Sequence, residues 1–273
     1  MSERPIYLDH NATTPIDPAV AEAMLPFLHE HFGNPSSGHV FGHRTREAVE
    51  NAREHVAALL GAAPEEIVFT SGGTESNNTV LKGVARAAGG RRGHFVTSAV
   101  EHPAVLEPCR ALEREGFDVT VVPVDRCGRV DPQQVEDAIR DDTLLVSVMH
   151  ANNEVGTIQP IREIAERAHA RGVLVHTDAA QSVGKIPVGV DDLGVDFLSV
   201  AGHKLQAPKG VGALYVRRGR EIPPLIHGAT HEGGRRAGTE NVLEIVGLGR
   251  AAQVAAREGE RTTAHLRALR DRL

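Results

Sequence analysis

Short runs of apolar and β-branched residues recur along the chain, at 67–70, 95–97, 119–122, 144–148, 173–176, 197–200 and 213–216. Each has the length of a strand and is followed by a longer amphipathic stretch. The seven runs predict one sizeable sheet. Residues 160–171 place Ile161, Ile164, Ala165 and Ala168 on one face, with Pro160 in the first turn and Gly172 as terminator, so they read as a helix. Three more helices are expected to open on a proline: Pro18 after Asp17, Pro103 after His102 and Pro132 after Asp131. Such alternation predicts a mostly parallel α/β sheet flanked by helices, with ligands at the carboxyl ends of the strands.

Residues 18–255 show no repeat, low-complexity tract or linker and read as one domain. Residues 1–17, with Tyr7-Leu8-Asp9 and then Asn11-Ala12-Thr13-Thr14-Pro15, read as an arm. At the other end Leu266, Leu269 and Leu273 fall at helical spacing, so residues 256–273 are expected to start a helix that the sequence leaves unfinished.

Composition narrows the function. The chain has 273 residues, 41% of them hydrophobic, enough for a large core. A net charge of -6, scattered basic residues and only seven Phe, two Tyr and no Trp argue against a nucleic-acid partner. The N-terminus carries no apolar leader and no window approaches a membrane span, so no membrane association is expected and the cytoplasm is the expected compartment. Cys109 and Cys127 are too few for a disulfide framework, which fits a reducing compartment.

Lys204 stands out. It is one of four lysines among 30 Lys and Arg, and Val200-Ala201-Gly202-His203-Lys204 places it just past a strand. A lysine so placed suits covalent chemistry with a carbonyl compound. Thr70-Ser71-Gly72-Gly73-Thr74-Glu75-Ser76-Asn77-Asn78 joins a strand to a helix. Free N–H groups there make an anion cradle, although alone the segment also reads as an ordinary Ser/Thr cap. His176-Thr177-Asp178 ends a strand, and a carboxylate at that edge can keep a pyridinium nitrogen protonated. Lysine, carboxylate and phosphate cradle together suggest pyridoxal phosphate (PLP), whose ring stabilises a carbanion beside an imine.

Taken in order, Tyr7-Leu8-Asp9 with Ala12-Thr13-Thr14-Pro15, the Thr70 to Asn78 segment, Glu101-His102, Asn152-Asn153-Glu154-Val155-Gly156, His176 to Gln181, Gly202-His203-Lys204, Pro208-Lys209-Gly210 and Arg235-Arg236-Ala237-Gly238-Thr239-Glu240-Asn241 resemble the NifS/IscS-type cysteine desulfurases. These are class V PLP enzymes of fold type I, and the resemblance spans essentially the whole chain. It implies that residues 18–255 form the PLP-binding large domain, that residues 256–273 lead toward a small domain, and that L-cysteine is the substrate. Lys204 would bind the cofactor covalently, Asp178 pair with the ring nitrogen, Gln181 contact the ring hydroxyl and His102 stack on the ring. Gly73, Thr74 and His203 would bind phosphate, and Asn153 would contact cofactor and substrate carboxylate. Thr239 would reach the phosphate of a neighbouring subunit, which implies a homodimer. The products would be alanine and an enzyme persulfide that passes sulfur to an iron-sulfur scaffold or another sulfur acceptor.

The family's nucleophilic cysteine lies on a loop beyond the Arg235 to Asn241 motif, and neither Cys109 nor Cys127 occupies that position, so the thiol is expected outside this sequence. Cys109 shares a helical face with Val105, Leu106 and Leu112 and is expected in the core. Ala201 stands where family members commonly have Ser or Thr, Gln206-Ala207-Pro208 replaces the usual glycine after the lysine loop, and the segment before Arg235 lacks an arginine. Other readings stay open: a non-catalytic PLP-binding or dimerising remnant, or another class V enzyme such as a selenocysteine lyase or aminotransferase. Gly247-Leu248-Gly249 reads as a helix-packing pair rather than a dinucleotide fingerprint, and the histidine pairs show no metal site.

Overall fold

A computed structural model describes residues 5–272. In chain order it contains α1 (Pro18–His29), α2 (Val40–Leu60), β1 (Ile67–Thr70), α3 (Gly73–Ala87), β2 (His94–Ser98), α4 (Pro103–Arg114), β3 (Asp118–Val122), α5 (Pro132–Ala138), β4 (Thr143–Ser147), α6 (Ile161–Ala170), β5 (Leu174–Asp178), α7 (Val190–Leu193), β6 (Phe197–Ala201), β7 (Gly212–Val216) and α8 (Val242–Arg270). All seven expected strands form, in one sheet of order β1-β7-β6-β5-β4-β2-β3. Only β7 runs antiparallel to its neighbours, so β1 and β6 point the same way as the parallel strands between β6 and β3.

Apart from its exposed edge strand β3, the sheet is buried on both faces, and the pleat decides which side chain goes where. Ile67 and Phe69 of β1, Val96 of β2, Val146 of β4 and Leu198 of β6 join one core with α1, α2, α6 and α8. Their neighbours Val68, Phe95, Leu145 and Phe197 join a second core with Val80 and Leu81 of α3 and Val105 and Leu112 of α4. Cys109 belongs to this second core, as expected, and burial pushes its thiol up to about 12.

The proline-opened helices form as expected. Asp17 and Asp131 cap α1 and α5 through side-chain bonds to Ala19 and Gln133 N–H groups, and His102 caps α4. Helix α6 begins one residue later than its pattern suggested, with Pro160 as its N-cap, and Gly172 follows it at φ 74°. Helix α8 runs unbroken from Val242 to Arg270, so the helix anticipated from residue 256 is the distal part of a longer one. The pair Gly247 and Gly249 does pack helices: a Cβ on Gly249 would lie 2.5 Å from Ala52 Cα, and one on Gly247 would lie 2.8 Å from Met24 Sδ.

The segment before α3 is locked from the opposite direction. Arg53 of α2 bonds Glu232 through both terminal nitrogens, at 2.8 and 2.9 Å, and Glu232 also accepts the Phe69 N–H at 2.8 Å. Burial works against the Arg53 charge, but the Glu232 bonds outweigh it and raise its pKa. Glu232 thus fastens the 232–239 loop, which carries Arg235, Arg236 and Thr239, to the sheet.

Candidate active site

The carboxyl ends of β1, β2, β4, β5 and β6 open on one side of the sheet, and the loop after each contributes to one cavity of about 740 Å³. Gly73 and Thr74 follow β1, His102 follows β2, Asn153 follows β4, Asp178 and Gln181 end and follow β5, and His203 and Lys204 follow β6. Every sequence-predicted site residue except Thr239 therefore lines this cavity. Thr239 is exposed and lies outside it.

Asp178 is held from two sides. Its Oδ2 accepts the Asn77 side-chain amide at 2.7 Å and its Oδ1 accepts the Ala180 N–H at 2.9 Å. Two residues earlier on β5, His176 is clamped between Ser147 at 2.8 Å and Ser199 at 3.0 Å, and burial drops its pKa to about 3. The neutral ring pins β5 between β4 and β6, which sets the height at which Asp178 emerges.

The arm reaches across the site. Thr14 donates to His203 O from both its hydroxyl, at 2.8 Å, and its N–H, at 3.1 Å, and the Asn11 side chain donates to Asn153 O at 3.0 Å. Lys204 Nζ donates to the Ala12 carbonyl at 2.9 Å and to the Asn11 carbonyl. Burial lowers the Lys204 pKa, opposed by the charges of Asp178 and Asp9. A lowered amine pKa is what attack on an aldehyde needs. His203 is lowered too, by burial and then by Lys204, Lys209 and Lys185, and its Nδ1 lies 3.1 Å from the Thr13 hydroxyl.

Gly73 opens α3, and Thr74 follows it, so the first free N–H groups of a fifteen-residue helix face the cavity. A Cβ on Gly73 would sit 3.4 Å from the Ala201 Cβ, which places Ala201 against the mouth of this cradle. The His102 Nδ1 accepts the Ala104 N–H at 3.0 Å, which fixes the ring over the same opening and leaves Nε2 to carry the hydrogen of the neutral form.

Several residues here carried no sequence-level assignment. Asn77 sat inside a recognised motif, yet nothing in its spacing tied it to Asp178. Lys185 is one turn beyond Gln181 and donates to its Oε1 at 2.6 Å; its rarity as a lysine was the available signal. Glu101, beside His102, is fully buried, accepts from Ser98 at 2.5 Å and Met149 N–H at 2.8 Å, and is pushed up to about 8 by burial. Neither Cys109 nor Cys127 lines the cavity. Among the described residues, no group of His, Cys, Asp and Glu is arranged to hold a metal. No helix among them is long and apolar enough to cross a membrane.

The aminotransferase class-V family profile matches residues 6–273. The chain is 56% identical to the cysteine desulfurase IscS of Dictyoglomus turgidum over 269 residues, covering 98% of this chain and 68% of that protein. Its fold is similar to that of a solved NifS-like protein, with TM-score 0.96 and 45% identity over 98% of this chain and 74% of the other. A solved SspA in complex with cysteine is similar at TM-score 0.90 and 46% identity, covering 91% and 72% of the two chains.

Proposed function

Because the chain belongs to the class-V aminotransferases and, among them, to the cysteine desulfurases, whose cofactor is PLP, we propose that it binds PLP on Lys204 and removes sulfur from L-cysteine. One observation carries this reading: Lys204, Asp178, Gln181, His102 and Thr74, scattered over the sequence, converge on a single cavity.

The residues present fit the cofactor's chemistry. The cavity, about 740 Å³, lies within the range of cofactor sites, and each polar end of the molecule would find a matching group among its lining residues. The α3 N-terminus with Gly73, Thr74 and His203 suits a phosphate, Asp178 a protonated ring nitrogen, and the Gln181 amide a ring hydroxyl. When bound, PLP supplies an electron sink for the pair left at the substrate Cα. Asp178, kept in place by Asn77 and Ala180 N–H, holds the proton on the ring nitrogen. Lys204 Nζ moves the proton at the substrate Cα, while the His102 ring covers the opening and Asn153 binds the substrate carboxylate. The sulfur leaves when a thiolate attacks it: a new S–S bond forms, the Cβ–S bond breaks, and protonated Cβ becomes the methyl of alanine. Cys109 is buried and outside the cavity, and Cys127 is also outside it, so neither provides that thiolate in this reading. The persulfide then passes to an iron-sulfur scaffold or another acceptor.

The working unit is a homodimer in this reading. Leu28, Phe32, Val40 and Phe41 are 61%, 80%, 64% and 54% exposed, and Phe32 and Phe41 stack at 5.9 Å, apolar surface that suits burial against a second copy. In this reading Thr239, exposed and outside its own chain's cavity, would serve a neighbouring subunit's phosphate. Two unpaired cysteines suit the reducing cytoplasm.

The test is direct. Purified chain mixed with PLP is expected to develop a visible absorbance band that Lys204→Ala abolishes, and with L-cysteine and dithiothreitol as thiol acceptor to release alanine and sulfide in equal amounts. A wild-type band insensitive to Lys204→Ala sinks the proposal.

A further inference from the structure

The geometry points to Lys185 as a positioning residue that fixes which end of the Gln181 amide faces the cofactor. The inference rests on the reading that PLP occupies the cavity on Lys204. Gln181 Oε1 accepts from Lys185 Nζ at 2.6 Å, and Gln181 Nε2 donates to the Asn11 carbonyl at 2.9 Å. An ammonium group has only donors, so it must meet the oxygen end of the amide. The nitrogen end then faces Asn11 and the cavity, with one hydrogen bound to Asn11 and the second free for an oxygen. Without Lys185 the two ends of the amide are nearly the same shape, and a flipped amide would set oxygen against the ring hydroxyl.

Lys185 is itself held for this task. Its N–H donates to Ser182 O at 3.0 Å and its carbonyl accepts the Thr263 hydroxyl of α8 at 2.7 Å. It lines a second, mainly apolar cavity of about 420 Å³, bordered also by Leu59, Val183, Ile186, Val188 and Ala255, while its Nζ bonds Gln181, which lines the active-site cavity. Burial there, and then the charge of Lys204, bring its amine down to about 8. The other charged groups around the pair are Glu260 and Arg267 of α8 on the far side, and Asp9, Asp178, Glu154, His102 and His203 on the cavity side. Among the described residues no carboxylate bonds Lys185, and its side-chain partner is the Gln181 amide.

A donor to the ring hydroxyl and a nearby cation both disfavour the proton on the Lys204–cofactor nitrogen. The midpoint of the pH-dependent absorbance change of the PLP-loaded protein reads that proton. Lys185→Met is expected to raise the midpoint by ~0.5–1 pH unit, while Lys185→Arg keeps it near the wild-type value. In a Gln181→Ala background the Lys185→Met shift is expected to shrink to less than half. Gln181→Glu, which keeps Lys185 and removes the donor, is expected to raise the midpoint as well and serves where Lys185→Met does not fold. An unmoved midpoint in Lys185→Met or Gln181→Glu overturns the inference, and so does a Lys185→Met shift of equal size with and without Gln181. A wild-type protein with no Lys204-dependent band overturns the PLP reading itself and this inference with it.

Discussion

Asn77 on α3 donates its side-chain amide to Asp178 at the end of β5 across 2.7 Å, joining two residues that are 0% and 5% exposed. A buried carboxylate needs such donors, because leaving one unpaired costs more than the bond itself contributes. The bond also ties α3, whose N-terminus faces the cavity, to β5, whose end opens on the same cavity.

Removing this donor should weaken cofactor binding as well as the fold. Asn77→Ala is expected to lower PLP affinity about 10- to 100-fold, matching the ~1.5–3 kcal/mol of a hydrogen bond to a charged group. Asn77→Asp, which sets a second carboxylate against Asp178, should be worse. Absorbance titration with PLP measures both; affinities equal to wild type would contradict the role given to Asn77.

Ala201 offers the opposite experiment. Its methyl lies beside Gly73 at the N-terminus of α3, where the proposed phosphate would sit. A hydroxyl there gains a charge-assisted bond worth roughly 1.5–3 kcal/mol, so Ala201→Ser is expected to tighten PLP binding about tenfold or more. Unchanged affinity would place the phosphate elsewhere.

Glu101 predicts a pH slope in stability. Burial raises its folded pKa from 4.5 to about 8, so its acid form favours folding. That contribution is complete below pH 4.5 and gone above about 8, with stability falling by up to ~1.4 kcal/mol per pH unit between them. Glu101→Gln, which cannot ionise, should flatten this slope between pH 5 and 8. Urea unfolding midpoints across that range provide the check.

Gln206 has a left-handed backbone, φ 60°, without being glycine. It is kept there because its N–H donates to Thr14 Oγ1 at 3.1 Å and its carbonyl accepts the Asp17 N–H at 3.0 Å. Left-handed backbone costs a side-chain-bearing residue ~1–2 kcal/mol, partly offset by the entropy that glycine loses on folding. Gln206→Gly should therefore stabilise the protein by ~0.5–1 kcal/mol, seen as a rise of a few degrees in Tm, whereas Gln206→Val should lower it.

Local order was legible wherever the signal was local. All seven strands follow from short apolar runs, and Asp17, His102 and Asp131 mark helix starts because a cap acts within two residues of itself. The candidate site residues came from linked motifs that resemble a known family, and all of them but Thr239 line one cavity. Thr239 is exposed and lies outside that cavity. The departures noted in the sequence have different structural outcomes: Gln206 takes the strained conformation a glycine would relieve, while Glu232 forms a buried pair with Arg53 that no spacing announced.

By itself the sequence determined the alternation of strands and helices, the burial of the central strands and which lysine, carboxylate and glycine-threonine turn are the candidates for the site, since periodicity, capping and motif chemistry are written within a few neighbouring positions. The tertiary structure alone decided the partners: Asn77 for Asp178, Lys185 for Gln181, the arm's carbonyls for Lys204 and Glu232 for Arg53. Most of these pairs join distant segments, and each depends on a side chain's direction to within an ångström. Strand order and close packing set that direction, and no local pattern encodes it.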